Sequence, residues 1–272
     1  MSDLKECINV NYILNGQLMP CEVFDPCHLT EGLSVYEVIR VIGGKFLFHE
    51  DHLERFDSTI KISGLTLTLS HLELTRDLYR LVEANHFIDG NVKLVCNYQG
   101  ANLSCYMMYY VPHQYPSEKE YSEGVKLVSI RFVRKDPHKK IWRQEFREMV
   151  SRVTLTENAW DVLLVNEEGL VCEASKANIF FIRENILYTP PLALVLPGIT
   201  RKYILTLCEQ QFIRIQEENI QYNDLDSFDA VFITGTSPKV LPVSQIDHIS
   251  FPANHMLTDT LIKEYNLLLD NL

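Results

Sequence analysis

Residues 168–181 read Glu-Gly-Leu-Val-Cys-Glu-Ala-Ser-Lys-Ala-Asn-Ile-Phe-Phe. Leu170-Val171 has strand character, and 178–182 is a second apolar extended run, so Glu173 falls between two strands. A carboxylate in that setting is costly to bury unless a cation or a protonated group faces it. The plain alternative is a loop glutamate in solvent. Either way, the stretch marks the second half of the chain as a mixture of strands and helices.

Working outward, 125–133, 162–165 and 230–234 read as further strands, and 144–157 and 200–211 as helices. Two connections suit an anion. Leu196-Pro-Gly-Ile-Thr-Arg201 opens a helix: Gly198 lets the backbone come close, and the N–H groups of Ile199 and Thr200 point outward along the helix dipole. Thr234-Gly-Thr-Ser-Pro238 follows a strand directly and places Thr236 and Ser237 at its end. The ordinary readings are a helix start capped by Thr200 and a plain turn. Upstream, Asp136-Pro-His-Lys-Lys-Ile-Trp142 sets Lys139 and Lys140 beside a tryptophan and near Arg143. Desolvation and neighbouring positive charge favour the loss of a lysine proton. A solvated lysine pair is the alternative.

The first half reads as α+β. Short strands are expected at 10–14 and 22–24. Strands 34–40 and 45–48 flank Gly43-Gly44, a two-residue hairpin turn. Helices follow at 52–62 and 70–87, the latter with Ser70 as N-cap. Strands 92–98 and 103–111 form a hairpin around Gly100-Ala101. The first helix carries His52-Leu-Glu-Arg-Phe56, in which Arg55 is a candidate phosphate ligand, with a surface arginine as the alternative. Residues 112–122 hold prolines and charges without apolar periodicity and read as a linker. The expected organisation is a small domain over 1–111, the linker over 112–122 and a larger domain over 123–272.

Bulk properties narrow the class. The chain has 272 residues, 46% hydrophobic and 22% charged, so it can bury a large core. Its formal net charge of -11 disfavours nucleic acid as a partner. It contains no apolar run long enough for a membrane span, and residues 1–12 lack a signal-peptide core. Seven cysteines without a C-x-x-C fit a reducing cytoplasm. No H-x-H or H-E-x-x-H occurs, which disfavours metal catalysis.

In order and content these segments resemble the class IV aminotransferases, the group with branched-chain aminotransferases, D-amino-acid aminotransferases and aminodeoxychorismate lyase. The resemblance spans about 30 to 245. It is carried by Gly32-Leu-Ser-Val-Tyr-Glu-Val-Ile-Arg40, by 45–56 with its His-Leu-Glu-Arg, by Gly169–Phe180, by Leu196–Arg201 and by Thr234–Ser237. It implies an α/β architecture of pyridoxal-phosphate fold type IV, D-amino-acid aminotransferase-like, with pyridoxal 5'-phosphate as cofactor. The substrates implied are an amino acid and a 2-oxo acid. The assembly implied is a homodimer in which N-terminal residues reach the neighbouring subunit.

Carried over residue by residue, Lys140 is the Schiff-base lysine. It fits the family's spacing to Glu173 without a gap; Lys139 is the competing neighbour, since a one-residue slip reverses a strand side chain. Glu173 pairs with the pyridine nitrogen and Asn178 orients it. Arg55, Ile199, Thr200, Thr236 and Ser237 hold the phosphate. Tyr36 and Arg40 are candidates for substrate contact, Arg40 being equally an internal salt-bridge residue. One departure stands out: where the family often has an arginine for the substrate carboxylate, this chain has Gln99 in Cys96-Asn-Tyr-Gln-Gly100. The function implied is transamination. A pyruvate-eliminating lyase and a non-catalytic phosphate-ligand binder are the alternatives.

Overall fold

The computed structural model describes residues 6–271, so the outermost ends of the two expected domains, 1–5 and 272, lie outside the described residues. The chain divides into two compact units, Met1–Gln114 with Lys139–Gln144, and Tyr115–His138 with Glu145–Leu272. The segment 139–144 therefore groups with the first unit although it follows the start of the second.

The first unit is built on strands β1 (Ile8–Leu14), β2 (Gln17–Pro20), β3 (Leu33–Ile42), β4 (Lys45–Phe46), β5 (Gly90–Gln99) and β6 (Asn102–Val111). They form an antiparallel sheet in the order β2-β1-β6-β5-β3-β4. Its helices are the single turn α1 (Cys27–Thr30), α2 (His49–Ile62) and α3 (His71–Ala84). Gly43 and Gly44, at φ 56° and 78°, make the tight β3–β4 turn, which needs two residues in the left-handed region. Ser70 caps α3 through a reciprocal capping box with Glu73.

Alternation along β3 sorts its side chains between two faces. Val35, Ile39 and Val41 join Leu53, Phe56 and Ile60 of α2 and Leu74 and Leu78 of α3 in one core. Tyr36 and Val38 point the other way, toward Val95, Met107, Tyr109 and Trp142. The segment 140–142 lies along this strand as a short antiparallel bridge between Ile141 and Val35.

The second unit comprises α4 (Glu118–Glu123), β7 (Val125–Arg131), α5 (Gln144–Glu157), β8 (Asp161–Val165), β9 (Val171–Ala174), β10 (Asn178–Arg183), β11 (Ile186–Thr189), α6 (Ile199–Gln210), β12 (Ile215–Glu217), β13 (Ala230–Gly235), β14 (Lys239–Ile246), β15 (Ile249–Ser250) and α7 (Met256–Asp270). Its sheet runs β12-β11-β10-β13-β14-β7-β8-β9, with β15 beside β14. The pairs β7–β8, β7–β14 and β11–β12 are parallel and the others antiparallel.

The local expectations differ from the structure at defined places. Residues 21–23 form a 3₁₀ turn rather than a strand at 22–24. Within 112–122, a Ser117–Glu120 capping box nucleates α4, a local signal that the proline and charge content masked. Helix α6 begins one residue before Thr200, with Gly198 as N-cap. The C-terminal helix α7 was not anticipated. Among the described residues, no helix is long and apolar enough to cross a membrane.

Candidate active site

In the first unit, backbone pairing fixes Lys140. Its carbonyl accepts the Tyr36 N–H at 3.0 Å, and the Trp142 N–H donates to the Ser34 carbonyl at 2.8 Å. These bonds clamp Lys140 onto β3 without placing it in a regular strand. The Lys140 Nζ stands 4.9 Å from the Tyr36 ring centroid. Trp142 meets the same ring edge-on at 5.8 Å. Tyr36 and Arg40 share this face by strand alternation, both half-buried.

On the opposite face of β3, Glu37 is fully buried. It accepts hydrogen bonds from Arg55 Nε at 2.8 Å and Nη2 at 2.7 Å, and from His52 Nδ1 at 2.8 Å. Burial pushes the Glu37 carboxyl upward, but the Arg55 charge and the bonds from His52 and Arg55 outweigh it and hold the group well below the usual carboxylate range. Burial lowers the His52 imidazole; Glu37 opposes that shift, while the charges of Arg55 and Lys140 reinforce it. His52 is therefore a neutral donor to a buried anion, and Arg55 is held in a fixed, bidentate orientation.

In the second unit, Glu173 is 3% exposed and lies within β9. Its Oε1 accepts from Arg134 Nη1 at 2.5 Å, and its Oε2 from Asn178 Nδ2 at 3.2 Å and the Leu196 N–H at 3.0 Å. Asn178 also donates to the Leu196 carbonyl at 3.0 Å. The pair thus ties β9 and β10 to the turn that opens α6. A Cβ on Gly198 would fall 1.9 Å from Asn178 Oδ1, so only glycine permits this approach. Gly198 carries no side-chain cap, and Ile199 and Thr200 are the first residues of α6, where backbone N–H groups lack intrahelical acceptors. Thr236 and Ser237 lie half-buried in the loop closed by the Gly235–Lys239 pair. Just before it, the Thr234 Oγ1 is buried without a hydrogen-bond partner.

The structure therefore brings Lys140 to Tyr36, and Glu173 and Asn178 to the start of α6. Arg55 is found on Glu37. Three residues escaped the sequence reading: Glu37 as the holder of Arg55, Lys93 beside Tyr36, and Arg134 on Glu173. Two had a visible signal. Glu37 interrupts the apolar alternation of 35, 39 and 41, and Lys93 interrupts the apolar run 92–96. Arg134 had none, since its partner lies 39 positions away.

An uncapped helix start beside a close-approach glycine, an orphaned hydroxyl at a strand end and a buried carboxylate facing a cation fit a phosphorylated, protonatable heterocycle. The family model for amino-transferase class IV matches residues 34–246, and the chain belongs to that family. It is 32% identical over 252 residues to a D-alanine aminotransferase of Bacillus licheniformis, covering 86% of this chain and 88% of that protein. A branched-chain amino acid aminotransferase of T.th., solved with pyridoxamine 5'-phosphate, shares the fold, with a TM-score of 0.85, 22% identity and coverage of 96% and 94%. A putative 4-amino-4-deoxychorismate lyase from Legionella pneumophila superposes with a TM-score of 0.76, 26% identity and coverage of 90% and 94%.

Proposed function

We propose that this chain moves an amino group between an amino acid and a 2-oxo acid, using pyridoxal 5'-phosphate held covalently on Lys140. The carrying observation is the buried Glu173, whose Oε1 faces a cationic N–H while Asn178 and the Leu196 N–H fix Oε2. A carboxylate so held suits a protonated pyridine nitrogen.

The roles in this reading are as follows. Glu173 keeps the pyridine nitrogen protonated, and Asn178 sets the plane of that carboxylate. Arg55, oriented by Glu37, the N–H groups of Ile199 and Thr200, and the hydroxyls of Thr236 and Ser237 bind the phosphate. The bound cofactor supplies an electron sink for charge developing at the substrate α-carbon. Once an incoming substrate amine has displaced it from the cofactor, the Lys140 Nζ would take the α-proton as general base and return it as general acid. The Tyr36 ring, 4.9 Å from the Lys140 Nζ, faces the reacting amine, and Arg40 contacts substrate from the same strand face. We read the enzyme as a cytoplasmic homodimer.

A second reading, pyruvate elimination from aminodeoxychorismate, draws on the likeness to the Legionella protein and on Gln99 replacing an arginine. Borohydride reduction with pyridoxal 5'-phosphate, followed by peptide mapping, tests the common core: label on Lys140 is expected, and an unlabelled Lys140 peptide overturns it. Glutamate-to-oxo-acid exchange in the absence of pyruvate release favours transamination.

A further inference from the structure

Cys7 and Cys21 stand at the two ends of the β1–β2 hairpin, Cys7 immediately before β1 and Cys21 in the 3₁₀ turn that follows β2. Both are free thiols, and their sulfurs lie 2.8 Å apart. The Cys21 thiol donates to the Ile8 carbonyl at 3.3 Å, so within the pair the Cys7 thiol is the donor and the Cys21 sulfur the acceptor. A covalent bond of about 2.05 Å between them needs less than about 1 Å of movement.

The surroundings differ for the two sulfurs. Cys7 is 2% exposed, in a cluster with Tyr12, Leu29, Val95 and Met107. Cys21 is half-buried at the margin of that cluster, so an oxidant in solvent reaches it first. The remaining thiols are poor competitors, because a protonated sulfur is a weak nucleophile. Burial pushes Cys96 and Cys105 up, Cys172 to about 11 and Cys208 to about 12. A hydrogen bond with the Asp25 carboxylate raises the exposed Cys27.

The hairpin has a use for a tie at its base. The pairing of β1 with β6 shifts register between Ile8 and Ile13. Across this gap the Val10 and Asn11 N–H groups donate to Asn85 Oδ1 at 3.1 and 3.0 Å, and Asn85 Nδ2 donates to the Asn11 carbonyl at 3.0 Å. Side-chain amides thus stand where a ladder is interrupted, and local opening is easiest in such a segment.

We propose that Cys7 and Cys21 are a redox site: hydrogen peroxide converts them to a reversible disulfide that staples the base of the β1–β2 hairpin. The Cys21 sulfur attacks the peroxide; an S–O bond forms, the O–O bond breaks, and the departing hydroxide takes the thiol proton as water. The Cys7 sulfur then attacks the Cys21 sulfur; the S–S bond forms, the S–O bond breaks, and a second water leaves with the Cys7 proton. The two thiols lose two electrons and the peroxide gains them. An external dithiol reverses the bond by exchange and is itself oxidised.

The test treats the reduced full-length protein with hydrogen peroxide, alkylates it under denaturing conditions and maps it with chymotrypsin in the absence of reductant. Cleavage after Tyr12 and Phe24 puts Cys7, Cys21 and Cys27 on separate peptides. A linked Cys7–Cys21 peptide pair is expected, with two of the seven thiols lost and both restored by dithiothreitol. In Cys7→Ser, dimedone is expected to label Cys21. The wild-type map needs no variant to fold. Hydrogen exchange of the β1 amides is expected to slow by about tenfold on oxidation and to recover on reduction. Seven alkylated thiols after peroxide, or linkage through any other cysteine, overturns the pair. Dimedone on Cys27 in place of Cys21 overturns the order of attack. Linkage with unchanged β1 exchange overturns the staple.

Discussion

Arg134 Nη1 lies 2.5 Å from Oε1 of Glu173, so the carboxylate proposed to meet the cofactor already has a cation in the protein. Both side chains are largely buried, at 16% and 3% exposure. Removing one member of such a pair leaves a buried charge uncompensated, at a cost of about 3 kcal/mol. Arg134→Met is expected to lower the melting temperature of the apoprotein. A protonated pyridine replaces the missing cation, so pyridoxal 5'-phosphate is expected to raise the variant's melting temperature by more than it raises that of the wild type. Equal shifts would argue against a cofactor contact at Glu173.

Lys139 and Lys140 are separated by a single substitution experiment. Lys140→Ala is expected to abolish the visible absorbance of the lysine-bound cofactor and the borohydride label. Lys139→Ala is expected to keep both, because the backbone bonds from Tyr36 and Trp142 flank residue 140. The reverse pattern moves the assignment to Lys139.

The buried cluster of Glu37, His52 and Arg55 makes folding sensitive to acid. The His52 imidazole sits below its ordinary 6.5 in the folded chain, so its contribution is complete above that pH and is lost as the pH falls. Glu37 lies below its ordinary 4.5, so its contribution is complete above 4.5 and declines in stronger acid. Both act in the same direction, with His52 first. Urea midpoints should fall between about pH 7 and pH 5, and His52→Asn, whose amide can still donate to Glu37, should flatten that portion. An unaltered slope in the variant would remove His52 from the account.

Gly198→Ala places a methyl carbon against Asn178 Oδ1. Its φ of -69° suits alanine, so the effect is contact and not backbone strain. Asn178 must move, which loosens its bonds to Glu173 and to the Leu196 carbonyl. Cofactor affinity, measured by equilibrium dialysis, is expected to fall by about tenfold or more, with a smaller change in apoprotein stability.

Thr234→Val separates a ligand role from a structural one. The buried Oγ1 has no partner, so its removal should stabilise the apoprotein by about 1 kcal/mol. If the hydroxyl serves the phosphate, cofactor affinity falls in the same variant. Stabilisation without weaker binding assigns it no ligand.

Much of the fold is legible locally. The alternation of 34–40, the Gly43-Gly44 turn, the Ser70 cap and the helical period of 52–62 each encode their structure in neighbouring residues, and the elements form there. The same holds for the glycine before α6. The Ser117–Glu120 box, hidden among charges, shows that a capping signal outweighs composition in a short segment. Helix α7 and the edge strands β12 and β15 were not legible, because their stability comes from what they pack or pair against.

The sequence by itself determined the residue types at the proposed reactive positions, Lys140, Glu173, Asn178 and the two turns that suit a phosphate, because their order and spacing are written along the chain. Only the tertiary structure decided which charges neutralise one another. Arg55 goes to Glu37, Arg134 to Glu173 and Lys93 to Glu6, across separations of 18, 39 and 87 positions. A buried ion takes whichever counter-ion the sheet brings beside it, and strand pairing sets that neighbour without regard to distance along the chain.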